Sequence, residues 1–336
     1  MLSLVCRAPG SLALEERDQP VRGENEVLVR VRRVGICGTD MHIFRGRQPY
    51  LTYPRVMGHE FAGEVAETSE ASAMAVGERV VVMPYLSCGH CVACRKGSTN
   101  CCVNLEVLGV HRDGALAEFV SVPESALLPI GELSLDEAAM IEFLSIGAHA
   151  VRRANVAPGQ RVLVVGAGPI GLAAALFSRL RGGVVTMVDR RADRLSFARD
   201  RIGATHAFAL SESIADDLAG VTEGEYFDVV FDATGSPEAM ERGFRYVAHG
   251  GTYALISVVT ADINFSDPEF HKRETTLLAC RNATMGDFAT VIEAMRAGHV
   301  PTGAFASHRA ALSDLAAELP IWMEPEAHVI KALVEV

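Results

Sequence analysis

Cys37, Thr39, Asp40 and His42 put a thiol, a hydroxyl, a carboxylate and an imidazole within six residues, shortly after the strand-like run at residues 27–34. A lone cysteine after a strand is usually a small buried hydrophobe. A second pair changes that reading: His59 and Glu60 follow a loop containing Pro49 and Pro54. Cys, His and Glu are zinc ligands, and three protein ligands with one open position make a site that does chemistry. Glu142 joins the candidates, because a carboxylate among Ile141, Phe143 and Leu144 is costly to bury unless it is paired or metal-bound. His149, further along the same stretch, is expected to be a packed histidine with one satisfied nitrogen.

Five of the eight cysteines lie between residues 88 and 102. The spacing of Cys88, Cys91, Cys94 and Cys102 lets four thiolates converge from one loop, as a closed tetrahedral structural zinc requires. Iron–sulfur centres also use closely spaced cysteines; zinc is the expectation here. Cys101 stands beside Cys102 and is an alternative fourth ligand.

A third group is built for a dinucleotide. The strand-like run 161–165, apolar after Arg161, leads into Gly166, Gly168, Pro169, Ile170 and Gly171, and then into a largely apolar helical stretch at residues 172–180. In this order the first glycine permits the tight turn, the second lets a pyrophosphate approach the backbone, and the third lets helix and strand pack closely. Asp189 ends the next apolar run and can hold a ribose 2′-hydroxyl, which favours NAD over NADP. Arg190, Arg191 and Arg194 complicate this, because arginine at that strand end accommodates a 2′-phosphate.

These groups need elements to position them. Residues 1–67 read as short alternating strands with Gly/Pro turns, and further strands are expected at 80–83 and 115–122. From about residue 135 the apolar residues take helical spacing through Ala138, Ile141, Ile146 and Ala150, so one helix is expected to carry Glu142 near its start. Beyond it, strands alternate with helices as in a doubly wound parallel sheet.

With 336 residues, 49% of them hydrophobic, the chain can bury a large core and is expected to form two domains. A formal net charge of −11 without a Lys/Arg run argues against nucleic acid or an anionic membrane surface as partner. Residues 162–178 are uncharged but contain the three glycines and the proline of the dinucleotide turn, so no membrane span is expected. Arg7, Pro9, Glu15 and Glu16 interrupt any export signal, and a cytoplasmic protein is the expectation.

Taken together, the motifs at residues 35–40, 58–60, 88–102, 166–171 and 228–235 resemble the zinc-dependent medium-chain alcohol dehydrogenase family over nearly the whole chain. The resemblance implies an α/β protein with a GroES-like β-barrel catalytic domain (residues 1–142 and 281–336) and an inserted Rossmann NAD domain (residues 143–280). It further implies two zinc ions per chain, one catalytic and one structural. Cys37 and His59 match catalytic zinc ligands, Glu60 and Glu142 both match positions that supply or approach the remaining one, and Asp40 matches the carboxylate that orients the ligating histidine. Thr39 matches the hydroxyl that takes the substrate proton, with His42 as a candidate to pass it on; Thr234 falls in a cofactor-domain motif.

Within the family, the chain looks like the polyol, threonine and sugar-acid branch, and its loops resemble dehydrogenases of L-galactonate-like sugar acids. His111 and Arg281 are then candidate substrate residues, with Arg45 and Arg47 adding positive charge. An L-threonine 3-dehydrogenase-type amino-alcohol oxidation is the alternative, and a non-catalytic NAD-binding protein is disfavoured because the metal ligands are present. Phe143 departs from the proline common after this glutamate. The resemblance also implies a homo-oligomer, tetramer or dimer, joined through an apolar strand at residues 275–279.

Overall fold

Val27, Leu28, Val29, Val31 and Val34 along the strand Glu26–Ile36 are all buried, while Arg30, Arg32 and Arg33 are not. This long strand is the spine of the first of two compact units in the computed structural model, which describes residues 1–336. The unit comprises Met1–Glu142, Ala283–Gly298 and Thr302–Val336. Along one side the spine pairs antiparallel with Glu60–Glu67; the strands Phe119–Pro123 and Lys331–Glu335 pair antiparallel with its beginning and its end. Arg79–Val82 and Leu127–Pro129 extend the sheet on one side, and Ala306–Ala311 on the other. A three-stranded sheet of Ser11–Glu16, Leu2–Ala8 and Arg55–Val56 accompanies it. Leu4, Val29, Phe61, Val80, Leu116 and Trp322 belong to one continuous core. This is the GroES-like half of the fold.

The second unit, Phe143–Asn282 with His299–Pro301, holds a six-stranded parallel sheet. Its order is His206–Ala209, Val184–Asp189, Arg161–Val165, Phe227–Asp232, Val247–Leu255 and Thr276–Ala279. The order reverses between Arg161–Val165 and Phe227–Asp232, the switch point where a doubly wound Rossmann sheet opens a crevice for ligand. Val162, Leu163 and Val164 have no exposed surface, as befits a central parallel strand covered on both faces.

Two expectations are corrected. The helical stretch after residue 135 is two helices, Leu135–Ala138 and Ile141–Arg153. The first is closed by a capping box of Ser134 and Glu137, and neither glycine nor proline marks the break. Strand 115–122 begins only at Phe119; Ala115 and Leu116 are instead hydrogen-bonded through their N–H groups to Gly58 and Met57, beside the loop that leads to His59. No helix is long and apolar enough to cross a membrane.

Candidate active site

Cys37 stands where the spine strand ends and the helix Gly38–Phe44 begins. Its position is set by Asp40, whose Oδ2 accepts the Cys37 N–H at 2.9 Å and whose Oδ1 accepts the Gly58 N–H at 3.2 Å. One buried carboxylate therefore ties the strand end to the loop that carries His59, with His59 Nδ1 3.8 Å from Asp40 Oδ1. Gly58 has φ +92°, a left-handed turn that a side chain would strain. Glu60 opens the next strand directly opposite Gly35. A ligand atom from each of Cys37, His59 and Glu60 lies within 4.8 Å of the others.

Glu142, near the start of the helix Ile141–Arg153, borders this group and accepts a hydrogen bond from the buried Tyr85 hydroxyl. Glu60 Oε2 receives the Lys331 ammonium at 2.5 Å, and the same ammonium reaches the Ile36 carbonyl at 3.1 Å. Lys331 is 2% exposed and Glu60 0%, so this is an ion pair wholly out of water. His59 Nδ1, Glu60 Oε1 and Glu142 Oε2 remain buried without a hydrogen-bond partner. Orphaned buried polar atoms are rare; with His59 Nδ1 turned to Asp40, its other ring nitrogen, the Cys37 thiol and the free carboxylate oxygens make the donor set of a zinc site with an open position. The residues fit a metal ion.

The electrostatics follow from this crowding. Burial raises the Glu142 carboxyl to about 7, and the Glu60 charge pushes the same way, with His59, Tyr85 and Lys331 opposing. Burial works to lower the His59 imidazole, yet Asp40 and Cys37 outweigh it and hold it well above its ordinary value. Burial likewise disfavours a charged Lys331, but the Glu60 carboxylate keeps it protonated.

Cys88, Cys91, Cys94 and Cys102 converge, their sulfurs all within 4.8 Å of one another and none in a disulfide. Backbone N–H groups of Cys88 and Asn104 point at the Cys102 sulfur at 3.2 and 3.4 Å. N–H groups of Cys94 and Val103 lower the Cys91 thiol to about 6, which favours the thiolate a metal needs. Cys101 lies outside the group and is exposed, so Cys102 is the fourth sulfur.

In the second unit, Gly166 turns at φ +98°, and a Cβ on Gly171 would stand 1.8 Å from the Gly166 carbonyl oxygen. Gly168 caps the helix Pro169–Leu180, with Pro169 and Ile170 in its first turn; a Cβ there would meet only Arg194 Nη1, at 3.7 Å. The turn is thus tight where backbones touch and open where a pyrophosphate would sit. Asp189 accepts the Ala167 N–H at 2.6 Å and the Arg191 N–H at 2.8 Å. Thr234 caps the facing strand end, donating its N–H and hydroxyl to Asp232 at 3.0 and 2.9 Å.

Of the other residues singled out, Thr39 is half-buried in the helix after Cys37, and His42 is exposed on the same helix. His111 is exposed, stacks on Tyr50 with ring centroids 6.3 Å apart, and accepts the Val107 N–H through Nδ1. Arg281 is exposed after the edge strand of the second unit. Sequence reasoning missed Lys331 and Tyr85. A signal existed for Lys331: it is the one charge in the run Val329 to Val334, and a charge on a buried strand demands a partner.

The alcohol dehydrogenase GroES-like domain model matches residues 23–132, and the zinc-binding dehydrogenase model matches residues 169–297. The chain is 41% identical over 314 residues to L-galactonate-5-dehydrogenase of Escherichia coli (strain K12), covering 93% of this chain and 92% of that protein. It is 35% identical over 254 residues to L-threonine 3-dehydrogenase of Caldanaerobacter subterraneus subsp. tengcongensis, covering 72% of each. Among solved structures, the crystal structure of the alcohol dehydrogenase rspB from E. coli CFT073, complexed with NADH, superposes with a TM-score of 0.94 at 30% identity, covering 100% of this chain and 99% of that one. With both family models matched in order and a convergent Cys–His–Glu group at the end of the spine strand, the chain belongs to the zinc-dependent medium-chain alcohol dehydrogenase family and is an oxidoreductase.

Proposed function

We propose that the chain oxidises a secondary hydroxyl of a polyol or sugar acid of the L-galactonate type, with NAD as hydride acceptor and a catalytic zinc held by Cys37, His59 and Glu60. The observation that carries this reading is the convergent Cys37–His59–Glu60 group with the orphaned Glu60 oxygen, in a chain 41% identical to an L-galactonate-5-dehydrogenase. When bound, zinc supplies Lewis acidity that makes a substrate hydroxyl acidic near neutral pH, and NAD supplies the acceptor for its hydride.

The rest is work for the chain's own residues. Asp40 orients His59 and fixes the Cys37 backbone, as the partners of metal ligands do. Lys331 holds one Glu60 oxygen and leaves the other available, and Tyr85 does the same for Glu142. Thr39 receives the substrate hydroxyl proton, and His42, exposed on the same helix, returns it to solvent. The turn from Gly166 to Gly171, with Asp189, Arg194 and Thr234, holds the dinucleotide. The Cys88, Cys91, Cys94 and Cys102 group holds a structural zinc. Two chains pair through the edge strand Thr276–Ala279, whose outer N–H and C=O groups can be matched by a copy of themselves.

A second reading, oxidation of an amino alcohol of the L-threonine type, is favoured by the 35% identity to L-threonine 3-dehydrogenase. The deciding experiment measures NAD reduction on a panel of aldonates including L-galactonate, neutral polyols and L-threonine. Preference for an aldonate is the expected result, together with an Arg281→Ala variant whose KM rises far more for the aldonate than for a polyol. Preference for L-threonine would replace this reading by the second; equal KM effects would remove the case for an acidic substrate.

A further inference from the structure

Five of the six residues from Asp189 to Arg194 are charged: Asp189, Arg190, Arg191, Asp193 and Arg194. Three cations against two anions, at the strand end where the adenosine ribose is received, is a composition that invites a 2′-phosphate. The geometry opposes that invitation. Arg191 Nε and Nη2 are engaged by the two oxygens of Asp193, at 3.1 and 2.6 Å, a two-pronged pair. The guanidinium fork that would grip a phosphate is the same fork that grips this carboxylate.

We propose that Asp193 is a specificity-determining residue, which by clamping Arg191 withholds that guanidinium from a 2′-phosphate and so keeps the chain on the cofactor that lacks one. The inference rests on the nicotinamide-cofactor reading above. Asp189 supplies the placement. One of its oxygens is fixed to the glycine turn at Ala167 and the other to the Arg191 backbone, so a ribose substituent that reaches Asp189 arrives beside Arg191. A phosphate there would carry roughly −1.5 to −2 charges, would face both carboxylates, and would have to displace Asp193 to gain the Arg191 fork. Arg194 does not substitute, because its Nη1 is turned towards the glycine turn, 3.7 Å from where a Gly168 Cβ would stand. Discrimination is therefore shared between repulsion by Asp189 and sequestration by Asp193.

The test is equilibrium binding of NADH and NADPH to the full chain, by nucleotide fluorescence at fixed ionic strength, with 2′,5′-ADP and 5′-ADP as competitors that lack the nicotinamide. The unmodified protein is expected to favour NADH. Asp193→Asn keeps the side-chain volume and removes the charge; it should shift the NADPH-to-NADH affinity ratio on the order of tenfold towards NADPH and tighten 2′,5′-ADP relative to 5′-ADP. Adding Arg191→Ala to that variant should abolish the gain. An unchanged ratio, an equal weakening of both nucleotides, or a gain that survives loss of Arg191 would each overturn the proposal. Unmodified protein that already prefers NADPH would also overturn it while leaving the cofactor class intact; protein that binds neither nucleotide would overturn both.

Discussion

Replacing Lys331 with methionine is expected to destabilise the zinc-free protein by about 3–5 kcal/mol, the cost of breaking a buried ion pair by removing one partner. Methionine keeps most of the apolar stem, so the loss reports on the charge. The magnitude follows from the surroundings: Lys331 and Glu60 are 2% and 0% exposed, and the ammonium lies 2.5 Å from the carboxylate. Glu60 would keep its charge out of bulk water, and Glu142 already presents a second carboxyl to it. The assay is urea unfolding of zinc-stripped wild type, Lys331→Met, Glu60→Gln and the double variant. Because a neutral pair can replace a buried ionic one at little cost, the double variant should recover most of the loss, with a coupling energy of at least about 2 kcal/mol. Zinc should narrow the Lys331→Met deficit, since a metal bound to Glu60 would neutralise it. A loss under about 1 kcal/mol, or strictly additive effects, would refute the reasoning, and a deficit unchanged by zinc would place Glu60 outside the ligand set.

Two further predictions concern the same sites. Metal analysis should find two zinc ions per chain; Cys37→Ser should abolish turnover with the fold intact, whereas Cys91→Ser should chiefly lower the melting temperature, because a structural zinc contributes folding energy. In zinc-free protein the Glu142 carboxyl is raised from 4.5 to about 7, so its favourable contribution is full below pH 4.5 and is lost as pH rises through about 7. That swing is about 3 kcal/mol, and Glu142→Gln should flatten the stability profile measured by urea unfolding across that window; an unchanged slope would assign the swing to another group.

What could be read from the sequence was what is local in it. The glycine turn and Asp189 are joined by a hydrogen bond across 22 residues, and Cys88 meets Cys102 across 14. Spacings of this size carry their own geometry, and the doubly wound half followed from strands and helices that alternate. Lys331 meets Glu60 across 271 residues, and Tyr85 meets Glu142 across 57; no period links such pairs, so the groups that pair with the two glutamates stayed hidden. Likewise nothing local announced the helix break before Ile141, which falls at Ala139 and Met140, residues that favour helix. The Arg191–Asp193 clamp lies in plain sight, yet only side-chain direction distinguishes it from two solvated charges.

The strand Lys331–Glu335 completes the sheet around Glu26–Ile36, pairing Ala332 with Ile36 and Glu335 with Arg33. At roughly 5–20 residues added per second, a ribosome needs roughly 15–55 s to travel the 271 residues from Glu60 to Lys331. Throughout that interval the end of the spine strand offers an unfilled edge to any neighbouring chain, and Glu60 has no ammonium beside it. The second unit, Phe143–Asn282 with His299–Pro301, is made entirely within the gap and can close on its own while the first waits. Nascent chains of this protein therefore depend on protection of one half, for tens of seconds, until its last strand emerges.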